Sequence, residues 1–145
     1  MQGGLPLNIT NTGAPPFAGS RPNFVVGQPH TTSGDVHNRL GGMGQKQGYI
    51  NSAAFVYPQS FVLGNVPRIS SDIRAPGVIN TDASGTKEFR VTESTHLRFS
   101  AQAFNLFNRV QFGRPNTTFG GTTFGYISSQ ANSPRQIQLG LRLIY

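Results

Sequence analysis

The sequence of 145 residues predicts an all-β fold built from antiparallel strands with one apolar and one polar face each. The first observation is the segment Ile137–Tyr145, where apolar and polar residues alternate along most of its length. The second is that the segment beginning at His96 shows the same alternation. Successive side chains of a strand point to opposite faces, so both segments predict a sheet with one apolar surface. The third is that no stretch approaches the ~20 apolar residues of a membrane-spanning helix.

Composition argues against a large buried core and against several functions. Only 36% of the residues are hydrophobic, with 18 Gly and 10 Pro, and the first ninety residues hold few apolar clusters. We therefore expect that this part buries no sizeable core. The net charge is +7, but the cations are scattered singly, which does not favour nucleic acid as a partner. The absence of Cys excludes disulfides and thiolate chemistry.

Residues 1–76 are predicted to form an irregular Gly/Pro-rich segment. Proline recurs at intervals of about ten residues or fewer, interleaved with Gly, Asn, Ser and Thr, which favour turns. So long a segment with little regular structure usually indicates a functional surface loop or disorder. Residues 77–145 are predicted to hold three strands.

The first predicted strand runs from about Val78 to Val91, and a tight polar turn at residues 92–95 follows it. The second runs from His96 to about Leu106, which matches the 9–11 residues of a tilted membrane-crossing strand. The face predicted to contact lipid carries Leu97, Phe99, Ala101 and Ala103. The face predicted to line the lumen carries Arg98, Ser100 and Gln102. A charge facing lipid near the midplane costs about 2–4 kcal/mol, which supports this assignment.

The third predicted strand runs from about Arg135 to Tyr145, after a Gly/Asn/Thr/Phe-rich loop at residues 108–134. Arg142 takes its lumen-facing side. A short turn therefore joins the first two strands and a long loop joins the last two. Transmembrane barrels show this asymmetry, with short periplasmic turns and long extracellular loops.

Several motifs resemble the C-terminal end of TonB-dependent outer-membrane receptors, and most closely the Oar-like group that carries a carboxypeptidase regulatory domain. The motifs that carry the resemblance are Arg21–Asn23, Gly48–Phe55, Gly64–Arg68, Phe104–Asn108, Gln111–Gly120, Phe124–Ile127 and Ser133–Gln138. The resemblance spans nearly the whole chain and is most specific from Phe104 onward.

The resemblance implies a barrel of roughly 22 strands with a plugged lumen. This chain would supply its last three or so antiparallel strands, at 77–145, after an extracellular-loop-like segment at 1–76. We therefore expect the chain to form an incomplete barrel by itself, without a signal peptide, the plug or most of the wall. The implied function is outer-membrane transport by the full-length protein, as ligand uptake or assisted export. Its partners would be lipid and the remainder of the receptor. The alternative is a small basic β-rich protein that is soluble and has a surface-binding or structural role.

The last strand also resembles the signal that the barrel-assembly machinery recognises on outer-membrane barrels. The match is an aromatic residue at the end of the chain with alternating apolar residues on the same face: Ile137, Leu139, Leu141, Leu143 and Tyr145. Strand addition explains such recognition, because backbone hydrogen bonds form the pair and alternate side chains select it.

The sequence offers no convincing site for catalysis, a metal or a cofactor. Its five acids, Asp35, Asp72, Asp82, Glu88 and Glu93, show no pairing suited to acid–base work. The three histidines lack ligand spacing, although His30 and His37 share a loop with Asp35. Asp82 is predicted to be a hydrogen-bonding group on a polar strand face. We expect no enzymatic activity.

The loop before the last strand holds four aromatic residues: Phe112, Phe119, Phe124 and Tyr126. They are candidate contacts for a ligand at the outer mouth of a barrel. A structural role, in which they pack the loop or form an interfacial girdle, is favoured because the resemblance places them in most members whatever the ligand.

Overall fold

The computed structural model describes residues 3–34, 39 and 47–145. Its regular elements confirm the predicted all-β class. They are β1 (Pro6–Leu7), β2 (Thr10–Asn11), β3 (Asn23–Phe24), a 3-10 turn (Ser52–Ala54), β4 (Phe55–Val56), β5 (Ser70–Arg74), β6 (Ala83–Arg90), β7 (His96–Phe104), β8 (Thr118–Phe119) and β9 (Gln136–Ile144).

The chain divides into two compact units. The sheet unit contains Val78–Gln111 and Ala131–Tyr145. The loop-core unit contains the described residues up to Gly77 together with Phe112–Gln130. The domain boundary at residues 76 and 77 stays a prediction. Residues 112–130 form the middle of the predicted loop at 108–134. Their contacts place them in the same unit as the N-terminal part of the chain.

The sheet unit is a three-stranded antiparallel sheet in the order β6-β7-β9. Its register is unbroken from Ala83↔Ala103 to Arg90↔His96, and from His96↔Ile144 to Phe104↔Gln136. The predicted turn closes the β6–β7 hairpin, where the Thr95 N–H donates to Thr92 Oγ1 at 3.1 Å. The strand order is therefore the sequence order.

Two predicted strand ends were wrong. The first strand starts at Ala83 instead of Val78, because the Gln111 side chain bonds both the N–H and the carbonyl of Ile79 in place of a neighbouring strand. The second ends at Phe104 instead of Leu106, because Asn105 takes a left-handed backbone with φ 51°. Both departures lie at the end of the sheet opposite the hairpin turn.

The loop-core unit contains a small apolar core, whose residues come mostly from the first ninety residues of the chain. The core cluster consists of Leu7, Ile9, Ile50, Ala54, Phe55, Val66, Ile73 and Phe124. These residues are scattered along Pro- and Gly-rich segments, so no periodic pattern in the sequence predicts that they are buried. They meet through three short pairings: β1 with β5 and β3 with β4, both antiparallel, and β2 with β8, which is parallel.

Asparagine side chains hold the irregular segments of this unit together. The Asn65 N–H donates to Asn23 Oδ1, and the Phe24 N–H donates to Asn65 Oδ1, both at 2.8 Å. Asn51 caps the 3-10 turn by accepting from the Ala53 N–H at 3.1 Å. Side-chain amides thus replace the ladder bonds that these segments lack.

Gly125 is required by its backbone and its surroundings. It has φ +78°, and its carbonyl accepts from the Tyr49 N–H at 2.6 Å. A Cβ at this position would lie 2.5 Å from the Ile50 carbonyl oxygen. The motif around Gly125 and the motif around Tyr49 therefore bind each other directly.

Candidate functional site

The sheet of β6, β7 and β9 places most of its apolar residues on one face and most of its polar residues on the other, with Lys87 as a charged residue on the apolar face. Directly paired residues of antiparallel strands share a face, so the register alone makes the assignment. One face carries Ala83, Gly85, Lys87, Phe89, Leu97, Phe99, Ala101, Ala103, Ile137, Leu139, Leu141 and Leu143. Within the described structure the leucines and isoleucine of β9 on this face are 56–68% exposed. The four residues predicted to face lipid lie here, and their contact with lipid stays a prediction.

The opposite face is polar and carries the residues predicted to face a lumen. Arg98 pairs across the sheet with Glu88 and Arg142. Its Nε donates to Glu88 Oε1 at 2.6 Å, and a second guanidinium nitrogen contacts the same oxygen. Ser100 Oγ donates to the Gly140 carbonyl at 3.3 Å. The arginines therefore stand on the polar side of the sheet, one of them neutralised by a cross-strand acid.

A polar network ties the three strands together at the end away from the hairpin turn, and Asn105 is its centre. Its backbone N–H donates to Asp82 Oδ1 at 2.9 Å, which joins β7 to the residue before β6. Its side chain bonds the N–H and carbonyl of Arg109 and the carbonyl of Ser133. Asn105 is buried, so these bonds satisfy an amide that burial would otherwise penalise.

A cavity of about 280 Å³, open to solvent and lined largely by exposed residues, lies in the sheet unit beside this network. Its lining includes Asp82, Asn80, Phe104, Gln136 and Ser133. The other amides that border it, Asn105, Gln111 and Asn132, are occupied by backbone groups. Sequence reasoning placed Asp82 on a polar face but missed the cavity, because the loop at residues 131–134 completes the wall.

The four aromatic residues predicted as candidate ligand contacts lie in the loop-core unit. Phe124 is only 5% exposed, and Phe112, Phe119 and Tyr126 are partly buried. Phe119 and Phe124 are 5.3 Å apart and pack against Phe55. In the structure these two rings stabilise the core, so they are poorly placed to contact a ligand.

Sequence reasoning also missed a pair of exposed rings in this unit. Phe17 and Phe61 stack with centroids 5.1 Å apart, and each ring residue is 79% exposed. Both have left-handed backbones, with φ of 60° and 63°, which is unusual for a bulky residue. No periodic pattern in the sequence signals such a pair.

His30 and Asp72 contact each other, with Nδ1 of the imidazole against Oδ2 of the carboxylate. Partial burial raises the pKa of Asp72. This effect is outweighed by others that lower the pKa: the hydrogen bond and charge of His30 and the backbone hydrogen bonds at Asp72 and Ile73. The net pKa lies below the ordinary aspartate value. The His30 ring also stacks on Phe24, with centroids 3.9 Å apart.

This lowered pKa predicts a loss of stability in acid. A carboxyl whose folded pKa is depressed contributes stability above its unfolded pKa, and that contribution is lost as the pH falls through the folded pKa. We expect Asp72→Asn to destabilise the loop-core unit at pH 6 by about 1 kcal/mol or less, because the pair is half exposed. Its effect should be smaller at pH 2, where more of the carboxyl is protonated. Urea unfolding at both pH values measures this, with Glu93→Gln as the control; equal effects at both pH values would contradict it.

The described residues contain no group of three or more His, Cys, Asp or Glu side chains that could hold a metal ion. The sequence places His30, Asp35 and His37 in one loop. Asp35 and His37 lie outside the described residues. In the described part of the chain, no helix is long and apolar enough to cross a membrane.

Comparison with known proteins adds one finding. The sequence model of a family described as an outer membrane beta barrel domain matches residues 1–138. No curated protein and no solved structure matches the chain.

Proposed function

Because this chain belongs to the outer membrane beta barrel domain family, we propose that it supplies the C-terminal strands of a TonB-dependent transporter of the Oar-like group. The transporter takes up a ligand or assists export across the outer membrane, without enzymatic activity or a cofactor. The family membership makes it an outer-membrane barrel domain, and it argues against the alternative of a small soluble surface protein. The specific class rests on the motif resemblance.

The observation that carries the proposal is the exposed apolar face of the sheet unit. Strands β7 and β9 have nine residues each, the length of a tilted strand that crosses the hydrocarbon core. Four consecutive cross-strand pairs on this face join apolar residues: Leu97 to Leu143, Phe99 to Leu141, Ala101 to Leu139 and Ala103 to Ile137. Lipid is the partner that this face fits, because apolar side chains there avoid the cost of exposure to water.

The two outer strands of the sheet need further strands of the same receptor as pairing partners. β6 and β9 each pair on one side only within the described sheet. In hydrocarbon, unpaired N–H and C=O groups cost several kcal/mol each, so an open edge is not tolerated there. We propose that the remainder of the barrel pairs with both edges, and that Arg142 on the polar face meets an acidic group of the plug or of a neighbouring strand.

The barrel-assembly machinery is the second proposed partner. The face of β9 that carries Ile137, Leu139, Leu141 and Leu143 is exposed, and Tyr145 is 95% exposed beyond it. Strand addition to the free edge of β9 would supply backbone hydrogen bonds, and the alternating apolar side chains would select the partner. Docking of the strand and its later burial against lipid would use the same side chains.

The size and the coupling of the native protein test the proposal. An antibody against residues 112–130 should detect, in outer-membrane fractions, a polypeptide several times larger than the 15.6 kDa of this chain. Photo-crosslinking in living cells should join that polypeptide to TonB, and collapse of the proton gradient should change the crosslinked fraction. A 15.6 kDa outer-membrane product without any crosslink to TonB would reject the transporter and leave only the barrel domain.

A further inference from the structure

The cavity in the sheet unit offers chemical groups that its own network leaves unused. Asp82 Oδ1 accepts from Asn80 Nδ2 at 3.0 Å and from the Asn105 N–H at 2.9 Å. The other carboxylate oxygen, Oδ2, has no hydrogen-bond partner among the described residues. The amide oxygens of Asn80 and Gln136 are also unbonded within the described structure, and the Phe104 ring lines the same space.

The charge of the cavity is opposite to that of the chain. The chain carries a formal charge of +7, yet none of the described residues that line the cavity is Lys, Arg or His. Glu88, the next acid along the same polar face, is already neutralised by Arg98. Asp82 is therefore an exposed acid, and no Lys, Arg or His stands among the residues that line the cavity with it.

We propose that this cavity binds the primary ammonium or guanidinium group of a small organic cation. Its N–H groups donate to the free carboxylate oxygen of Asp82 and to the amide oxygens of Asn80 and Gln136. Charge-assisted hydrogen bonds of this kind are about twice as strong as neutral ones. The face of the Phe104 ring attracts the same charge, since the quadrupole of an aromatic ring is negative on its face.

Anions and neutral polyols fit the cavity less well. An anion would face a carboxylate and two unbonded amide oxygens with no cation to offset them. A polyol could use the Ser133 hydroxyl and the Gln136 amide as partners, but it would leave the Asp82 charge without a counterion. The volume, about 280 Å³, suits a single small head group. This inference deepens the proposed function because it gives the chemistry of a ligand that binds at the polar face. Only the claim that this ligand is transported rests on the proposed function.

The test compares butylguanidinium with butylurea, its neutral isostere, on the full-length protein in detergent micelles. Titration followed by amide NMR should show saturable binding of butylguanidinium with shifts at the Asn80 and Gln136 side chains. Butylurea should bind at least about tenfold more weakly. Equal affinity for the two compounds, or tighter binding of sorbitol, would overturn the proposal.

The matched variants are Asp82→Asn and Glu88→Gln. Asparagine at position 82 keeps an oxygen for the Asn80 and Asn105 donors and replaces only the free oxygen by an NH₂ group. It should therefore weaken butylguanidinium binding tenfold or more without disturbing the fold. Glu88→Gln should leave the affinity unchanged.

Unaltered binding by Asp82→Asn, or an equal loss in Glu88→Gln, would show nonspecific attraction of cations and would overturn the proposal. If Asp82→Asn does not fold, Phe104→Leu replaces it as the test, with an expected severalfold loss of butylguanidinium affinity. Unchanged affinity in Phe104→Leu would then count against the site. Failure of the TonB crosslink with intact binding would reject the transporter alone.

Discussion

Replacing Phe99 by Arg in the full-length protein is expected to lower the free energy of unfolding from bilayers by about 2–4 kcal/mol. Phe99 lies in the middle of β7 and pairs with Leu141 on the apolar face. An arginine there would place its guanidinium among lipid tails near the midplane. The measurement is a urea titration of the protein folded into lipid vesicles, followed by the shift between folded and unfolded bands on unheated gels.

Gln102→Arg is the matched control for this substitution. Gln102 lies on the same strand but pairs with Ser84 and Gln138 on the polar face. An added guanidinium there remains in contact with polar groups, so we expect a change of less than about 1 kcal/mol. A one-residue shift of register would exchange the two faces. Equal destabilisation by both substitutions would therefore reject the face assignment.

Phe55→Ala is expected to destabilise the loop-core unit by about 3–5 kcal/mol. Phe55 is 5% exposed and its ring lies 5.4–5.9 Å from the rings of Phe24, Phe119 and Phe124. Its removal would leave a cavity that segments so rich in Pro and Gly cannot readily close. Native-state hydrogen exchange of the Tyr49 and Ala54 amides, which are both hydrogen-bonded within this unit, measures the loss.

Phe61→Ala provides the comparison, because Phe61 also has an aromatic neighbour but is exposed. Truncating it removes one stacked contact and little buried area. We expect a loss of no more than about 1.5 kcal/mol. If Phe61→Ala destabilised the unit as much as Phe55→Ala, the core would not be centred on Phe55.

The sheet could be predicted from sequence because each of its strands carries its own evidence. Alternation in β7 and β9 identifies both strands and both faces, since only local geometry is involved. The start of β6 could not be predicted in this way. The Ile79 backbone is bonded by the Gln111 side chain, and a contact between residues so far apart leaves no periodic signal.

The loop-core unit and the cavity were less predictable for the same reason. Ile9, Ile50 and Ile73 are each isolated in sequence, and only the folded chain brings them together in the core. Asp82 could be placed on a polar face, but its free oxygen and its neighbours across the cavity depend on where residues 131–136 lie. The core and the candidate site therefore depend on tertiary contacts, whereas the sheet could be predicted from the local sequence pattern.

The parallel pairing of β2 with β8 joins two segments that lie far apart in the sequence. Thr10 and Asn11 pair with Thr118 and Phe119, so β2 needs residues that lie beyond β6 and β7 in the chain, whereas β1 and β3 pair with strands that precede β6. The β6–β7 hairpin needs a short closure, whereas the β2–β8 contact must close a long segment at a greater entropic cost. We therefore expect the β6–β7 hairpin to form before β2 pairs with β8.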